Sequence, residues 1–249
     1  MKLTALTRYL DDLLNVAAIR DYCPNGLQVE GRAEVRSIVT GVTASQALIE
    51  AALSAEADAI LVHHGYFWKG EPAPIVGIKG RRIRALIKAD ISLLAYHLPL
   101  DVHPQLGNNA QLAQRMGWVQ EGMFGEGDIG LMGRVDADAS DVAGIAANLE
   151  RVLGRKPLVI GDLAQPVRRV AWCTGAAQSY LASAIDAGCD VFISGEISEP
   201  TVHLAREAGV AYISAGHHAT ERYGVQALGE HLAEQFGLRH CFIDIDNPV

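Results

Sequence analysis

The sequence predicts an α/β fold built from two similar α/β units, and three observations support that fold class. Short runs rich in Val, Ile and Leu alternate with Ala-rich amphipathic stretches, an order typical of βα units with a largely parallel sheet. The 249 residues are enough for two modest domains. The second half repeats the element order of the first, so we assign residues 1–125 to one unit and 126–249 to the other.

The first half begins with a helix at 3–14, where apolar residues recur at helical spacing. A turn-rich stretch follows around Pro24, Asn25 and Gly26. Ser45 is placed to cap the second helix of this half. Strands and helices then alternate as strand 37–42, helix 45–57, strand 59–64, helix 81–90 and strand 92–97.

A glycine-rich stretch at 123–133 is interpreted as the connection between the halves. The alternation of strands and helices then resumes and ends on a strand. Its members are strand 168–175, helix 179–188, strand 190–195, helix 198–209, strand 210–216, helix 221–237 and strand 239–245.

The two halves align on each other. A shift of 132 residues places 35–62 on 167–194 without a gap, and it pairs Asp58 with Asp190. For the segment that begins at His97 the shift is 120, and the difference fits an inserted loop after the second strand. Identities are few, but the shared order of elements favours an internal duplication.

Composition excludes several classes of protein. The net charge of −8, from 21 basic and 29 acidic residues, argues against broad binding to a nucleic-acid backbone. A local basic run at 79–84 remains. Arg8, Asp11 and Asp12 interrupt the first segment, so it has no signal-peptide core, and no apolar run is long enough to span a bilayer. We expect a cytoplasmic protein.

The four cysteines are far apart and form no C-x-x-C pair. That spacing favours reduced, mostly buried thiols over a disulfide framework or a zinc knuckle. Cys241, beside His240 on an apolar strand, is interpreted as a core residue.

Histidines and carboxylates follow three predicted strands, and two of these clusters have the form His-x-x-x-carboxylate. In open α/β sheets, ligands bind at the carboxyl ends of the strands. The residues in question are His63, His64, His97, Asp101, His217, His218 and Glu221.

Imidazoles and carboxylates together are ligands of borderline divalent ions such as zinc, iron, manganese, cobalt or nickel. Two carboxylates suit a two-metal site, in which the ions lie roughly 3.5–4 Å apart. Adjacent strand residues point to opposite faces. His63 and His64 can therefore share a site only where the chain turns, which Gly65 permits, and each would then bind a different ion.

Structural readings of the same residues stay open at this point. A strand-end histidine is often only hydrogen-bonded within the fold. Glu221 could simply stabilise the start of a helix, and Asp101 could form a hydrogen bond with the backbone of a turn at Pro99.

Other catalytic motifs are missing from the sequence. It has no dinucleotide fingerprint, P-loop, H-E-x-x-H or G-x-S-x-G pattern.

Five segments nevertheless resemble one known family: PNGLQVEG, LVHHGYFW, AYHLPLD, ISGEISEPTVH and AGHHATE. The chain resembles the NGG-interacting-factor-like family, whose bacterial members, including a YbgI group, are often labelled GTP cyclohydrolase type 2 homologues. The resemblance runs in order along nearly the whole chain. Some relatives carry an extra domain between the halves, which the short connection at 122–133 leaves no room for.

The resemblance implies two α/β units with a dinuclear metal site between them, in a ring-shaped (toroidal) homohexamer with two divalent ions per chain. The implied role of His97 is that of a close neighbour that either supports the metal ligands or transfers a proton, and that of His218 is structural. In the second half, Gly195 and Glu196 take the places of His63 and His64, so the site is asymmetric. The implied metal ligands are His63, His64, Asp101, His217 and Glu221.

The function that the resemblance implies is metal-dependent hydrolysis of a nucleotide or related heterocycle, such as opening of the purine imidazole ring of GTP with loss of formate. Lys69, Lys79, Arg81 and Arg82 are candidate contacts for a triphosphate. One alternative is a ring-forming metal-binding scaffold or regulator without catalysis. The other is a metallohydrolase of damaged nucleotides or phosphoesters.

Overall fold

The computed structural model describes residues 1–135 and 141–249, and these cluster into two compact units. Each unit holds one β-sheet with helices, which confirms the predicted α/β class. The first unit comprises Met1–Gly107 and Arg222–Asp246, and the second comprises Asn108–Glu221 and Asn247–Val249.

The elements follow the predicted alternation closely. The helices are α1 (Leu3–Leu13), α2 (Gln46–Ser54), α3 (Gly77–Ala89), α4 (Leu98–Asp101), α5 (Asn108–Met116), α6 (Val142–Leu153), α7 (Leu181–Asp186), α8 (Glu199–Ala208) and α9 (His217–Phe236). The strands are β1 (Gly26–Val29), β2 (Ser37–Thr43), β3 (Ala59–His64), β4 (Ser92–Ala95), β5 (Val119–Phe124), β6 (Gly130–Arg134), β7 (Leu158–Ile160), β8 (Arg169–Cys173), β9 (Val191–Ser194), β10 (Ala211–Ser214) and β11 (Arg239–Phe242). Ser45 caps α2 as predicted, since its side chain accepts a hydrogen bond from the Leu48 amide at 3.2 Å.

The sheet of the first unit has the order β1-β4-β3-β2-β11. Strands β4, β3, β2 and β11 are parallel, and β1 is antiparallel to β4. Alternate residues of β3 face opposite layers, with Leu61 packed in one core and Ile60 and Val62 in the other. Burial on both faces explains why β3 is a continuous apolar run. Helices α1 and α9 contribute to one layer, and α2 and α3 to the other.

The unit boundaries differ from the predicted division at residue 125. Strand β11 pairs with β2, and Val225, Leu228 and Leu232 of α9 join the core built on α1, so the chain returns to the first unit at its end. Simple division of the chain in two could not show this return, because β11 follows the second half in sequence.

The sheet of the second unit has the order β5-β6-β8-β9-β10-β7, with β8, β9 and β10 parallel. The stretch at 123–133 that we predicted as a connection forms much of the antiparallel hairpin β5–β6. A side chain at Gly133 would collide with the Val119 carbonyl, so this glycine permits close strand approach rather than a flexible link. The turn-rich stretch near Gly26 likewise contains a strand, β1.

The aligned residues Asp58 and Asp190 make the same contacts in their own units. One carboxylate oxygen of Asp58 accepts hydrogen bonds from the backbone amides of Arg36 at 2.8 Å and Ser37 at 2.9 Å. Asp190 accepts from the amides of Arg168 and Arg169, both at 2.8 Å. Each aspartate directly precedes a strand, β3 or β9, and its bonds reach the start of the neighbouring strand, β2 or β8. They are consistent with a duplication, which stays a prediction.

Replacing Asp58 by alanine is expected to destabilise the protein by about 2 kcal/mol, because the buried Ser37 amide and the part-buried Arg36 amide lose a charged acceptor. Although burial would raise the pKa of Asp58, hydrogen bonds from Arg36, Ser37 and Arg32 lower it. A lowered folded-state pKa gives stability above the unfolded pKa of about 4 that is lost on further acidification. Urea unfolding should therefore show a difference between wild type and variant at pH 7 that shrinks below pH ~4. A constant difference would contradict this account.

The cysteines follow the predicted burial with one exception. Cys23, Cys173 and Cys189 are buried, whereas Cys241 is exposed. The interpretation of Cys241 as a core residue was wrong because β11 is the edge strand of its sheet.

Within 1–135 and 141–249, no helix combines the length and apolar character that crossing a bilayer requires.

Candidate metal-binding site

In the first unit, the carboxyl end of β3 carries a fully buried histidine whose protonation is fixed by the backbone. Nδ1 of His63 lies 2.9 Å from the carbonyl oxygen of Tyr96. A carbonyl only accepts, so Nδ1 carries the hydrogen and Nε2 of the neutral ring carries a lone pair. That Nε2 is 3.5 Å from Oδ1 of Asp101 in α4. Two electron-pair donors of this kind, both buried, suit a cation.

His64 and His97 lie beside His63. The ring centroids of His63 and His64 are 4.6 Å apart, and His97 is 5.0 Å from His63 and 5.8 Å from His64. One ligand-capable nitrogen from each of these three histidines lies within 4.8 Å of the other two. His97 is therefore itself a potential metal ligand of this unit, and not only a residue that lies near the ligands.

The turn after His64 is held by a glutamine that we did not single out in the sequence. Oε1 of Gln28 accepts from the Tyr66 amide at 2.7 Å, and its Nε2 donates to the Tyr66 carbonyl at 3.1 Å. A Cβ added at Gly65 would lie 2.6 Å from the Cβ of Ala95 and would collide with the side chain of Gln28. Space, rather than a left-handed φ, is what this position requires of glycine.

His97 is oriented by a carboxylate, Asp21, from the turn-rich segment before β1. Nδ1 of His97 donates to Oδ1 of Asp21 at 2.8 Å, and the Leu98 amide and the Asn25 side chain donate to Oδ2 at 2.9 and 2.8 Å. Burial would raise the pKa of Asp21, but the bonds from His97, Asn25 and Leu98 lower it to about 2. Asp21 is thus ionised near neutral pH and holds the hydrogen of His97 on Nδ1.

Cys23 forms a second group with Asp21 and His97. Its sulfur and one ligand atom of each of these two residues lie within 4.8 Å of one another. Burial, and then the charge of Asp21, raises the pKa of Cys23 to about 12. Near neutral pH the thiol is therefore protonated, and the thiolate is the form that binds metals and attacks electrophiles.

In the second unit, the first turn of α9 brings His217 and Glu221 together. Nε2 of His217 is 3.1 Å from Oε2 of Glu221, and Nδ1 is 2.7 Å from Oε1 of Glu196, which follows β9. Burial would lower the pKa of His217, but Glu221 and Glu196 raise it to about 9. The two carboxylates, one at each ring nitrogen, thus favour a positive charge at His217, which the imidazolium supplies.

Gly175, two residues after the end of β8, lies against this pair. It has a φ of +72°, and a Cβ there would collide with Oε1 of Glu221 and lie 3.5 Å from Nε2 of His217. The Gly175 amide donates to the Thr220 hydroxyl at 3.1 Å, and its carbonyl accepts from the Gly195 amide at 2.8 Å. Sequence reasoning missed Gly175 because glycine carries no reactive group.

The predicted residues thus divide between the units: His63, His64, His97 and Asp101 cluster in the first, and His217 and Glu221 are paired in the second. His218 is buried, and its backbone amide donates to the Val249 carbonyl at 2.9 Å.

The basic side chains predicted to contact a triphosphate differ in exposure. Lys79 lies 3.5 Å from Glu71, which neutralises its charge locally. Lys69 and Arg81 are exposed, and Arg82 is half-buried.

Comparisons with known proteins identify similar sequences and solved structures. The family model described as Duf34/NIF3 (NGG1p interacting factor 3) matches residues 1–248. A Pseudomonas aeruginosa protein named GTP cyclohydrolase 1 type 2 homolog is 56% identical over 99% of this chain and 98% of its own. The solved structure of protein ybgI, titled as of unknown function, has a TM-score of 0.96 and 51% identity over the whole of both chains. That of TTHA1606 from Thermus thermophilus has a TM-score of 0.90 and 36% identity, also over the whole of both chains.

Proposed function

Because this chain belongs to the Duf34/NIF3 (NGG1p interacting factor 3) family, we propose that it is a dinuclear metal-dependent hydrolase of a nucleotide or related heterocycle. In this proposal the histidines and carboxylates of both units bind one pair of divalent ions. The first unit supplies His63, His64 and Asp101, and the second supplies His217 and Glu221.

The observation that carries the proposal is the fixed tautomer of His63. The Tyr96 carbonyl holds the ring hydrogen on Nδ1, so the lone pair of Nε2 lies 3.5 Å from Asp101 in a buried environment. Metal-binding histidines commonly donate their other N–H to a carbonyl or carboxylate in this way. When bound, divalent ions polarise a substrate oxygen and lower the pKa of coordinated water.

His97 and Asp21 supply proton transfer in this proposal. Asp21 holds the hydrogen on Nδ1 of His97, which leaves Nε2 as the nitrogen that exchanges a proton with substrate or water.

The substrate class rests on the relatives. Two proteins named GTP cyclohydrolase 1 type 2 homolog are 56% and 57% identical in sequence to this chain. For this chain we propose the corresponding chemistry, in which one water molecule opens the imidazole ring of a purine nucleotide to a formamide and a second hydrolyses that formamide and releases formate.

Turnover of a nucleotide panel, with and without chelator, tests this function. We expect metal-loaded wild type to hydrolyse at least one nucleotide, with activity lost on chelation and in His64→Ala and Glu221→Ala. His203→Ala is the matched control for the second unit, since His203 forms an exposed i,i+4 pair with Glu199 at 2.8 Å and should retain activity. Metal-loaded protein that is inert on every nucleotide would contradict the proposal and favour a metal-binding scaffold.

We also propose that the chain assembles as a homohexamer, as the family resemblance implies. Light scattering on the wild type and on His64→Ala should give the same hexameric mass, so that loss of activity is separated from loss of assembly. A monomer at assay concentration would contradict this part of the proposal.

A further inference from the structure

The loop at 65–71, directly after His63 and His64, holds a tryptophan against the candidate site. The Trp68 ring centroid is 5.9 Å from His64 and 4.9 Å from His97, nearly perpendicular to the latter at 81°. Its indole N–H donates to the Gly65 carbonyl at 3.2 Å. The side chain remains partly exposed, unlike Trp118 and Trp172, which are buried.

This loop has a strained conformation that its neighbours stabilise. Phe67 has a φ of +67°, in the left-handed region that a bulky residue rarely adopts. One oxygen of Glu71 accepts from the amides of Phe67 at 2.8 Å and Trp68 at 3.2 Å. Such strain persists where surrounding contacts enforce it, and it concentrates at functional sites.

Further contacts fix the loop at both ends. The Lys69 amide donates to the Tyr22 carbonyl at 2.7 Å, and Lys79 pairs with the second oxygen of Glu71 at 3.5 Å. Lys79 is neutralised in this way, and the loop presents the aromatic ring of Trp68 to His64 and His97. Anchored aromatic side chains bind planar ligands without losing much conformational freedom.

We propose that Trp68 is the residue that recognises the planar heterocyclic ring of the substrate, by stacking on it beside His64 and His97. This inference rests on the proposed function and adds to it a specific contact for the ring. A stacked base contributes enough that removing the aromatic partner weakens binding roughly 5- to 100-fold. Phosphate groups would contribute little to the contact at Trp68.

The test compares Trp68→Ala, Trp68→Phe and wild type in the full-length chain loaded with Zn²⁺. The probes are guanosine, a purine without phosphate, and ribose 5-phosphate, a phosphate without a ring. Binding is measured by calorimetry, and the quenching of Trp68 is measured as the fluorescence difference between wild type and Trp68→Phe. Tyr22→Ala is the control, since Tyr22 is an exposed aromatic whose backbone carbonyl, which the substitution keeps, accepts from the Lys69 amide.

We expect guanosine to quench Trp68 and to bind Trp68→Ala roughly 5- to 100-fold more weakly, whereas Trp68→Phe and Tyr22→Ala stay close to wild type. Ribose 5-phosphate should not distinguish the variants. Equal guanosine affinity in wild type and Trp68→Ala, or no guanosine binding to wild type, would overturn the inference. Loss of zinc from Trp68→Ala and Trp68→Phe would also overturn it, because Trp68 would then support the ligands. Failure of the proposed function has a different signature, namely guanosine binding without turnover of any nucleotide.

Discussion

Gly175→Ala is expected to bind divalent metal roughly 10- to 100-fold more weakly than wild type, the range seen when groups supporting metal ligands are disturbed. The added Cβ would collide with Oε1 of Glu221 and lie 3.3 Å from its carboxyl carbon. The carboxylate must therefore leave the position in which it faces His217. Metal affinity can be measured by competition with a chromogenic chelator.

Gly154→Ala is the matched control for this change. Gly154 lies in the same unit and has a φ of +70°, close to that of Gly175, but nothing lies within 4 Å of its added Cβ. Both variants should lose about 1–2 kcal/mol of stability from the left-handed backbone. Only Gly175→Ala should lose metal affinity. Equal metal affinities in the two variants would contradict the role assigned to Gly175.

Gly65→Ala is expected to destabilise the protein by about 1–3 kcal/mol, as overpacking of a full core does. The new methyl group would lie 2.6 Å from the Cβ of Ala95 and collide with the amide of Gln28. Urea unfolding measures the cost. Because the clash with Gln28 disappears in the double variant Gly65→Ala/Gln28→Ala, its total destabilisation should be smaller than the sum of the two single effects. Strict additivity would argue against this packing.

Much of the fold could be predicted because its determinants are local. The apolar run of β3, buried on both faces, and the helical spacing of α1 are visible in single segments. The hairpin β5–β6 could not be predicted in the same way, because glycines such as Gly133, which signal loops, are needed there for close strand pairing. The return of β11 to the first sheet depends on pairing with β2, nearly 200 residues earlier.

The candidate site shows the same limit. Histidines and carboxylates at strand ends could be identified because few residue types bind metals, and the structure brings His63, His64, His97 and Asp101 together in one unit. Asp21 and Gln28 could not be identified, since each acts through a partner distant in sequence. Glu196 was noticed only as the counterpart of a histidine, and its contact with His217 follows from the order of β9 and β10.

The number of metal ions bound per chain, measured by elemental analysis, tests the central claim most directly. It compares wild type, His63→Ala/His64→Ala and His217→Ala/Glu221→Gln after metal loading under reducing conditions. If the ligands of both units bind one pair of ions, wild type holds about two ions per chain and each double variant holds close to none. One ion retained by each double variant, or none in wild type, would contradict the account.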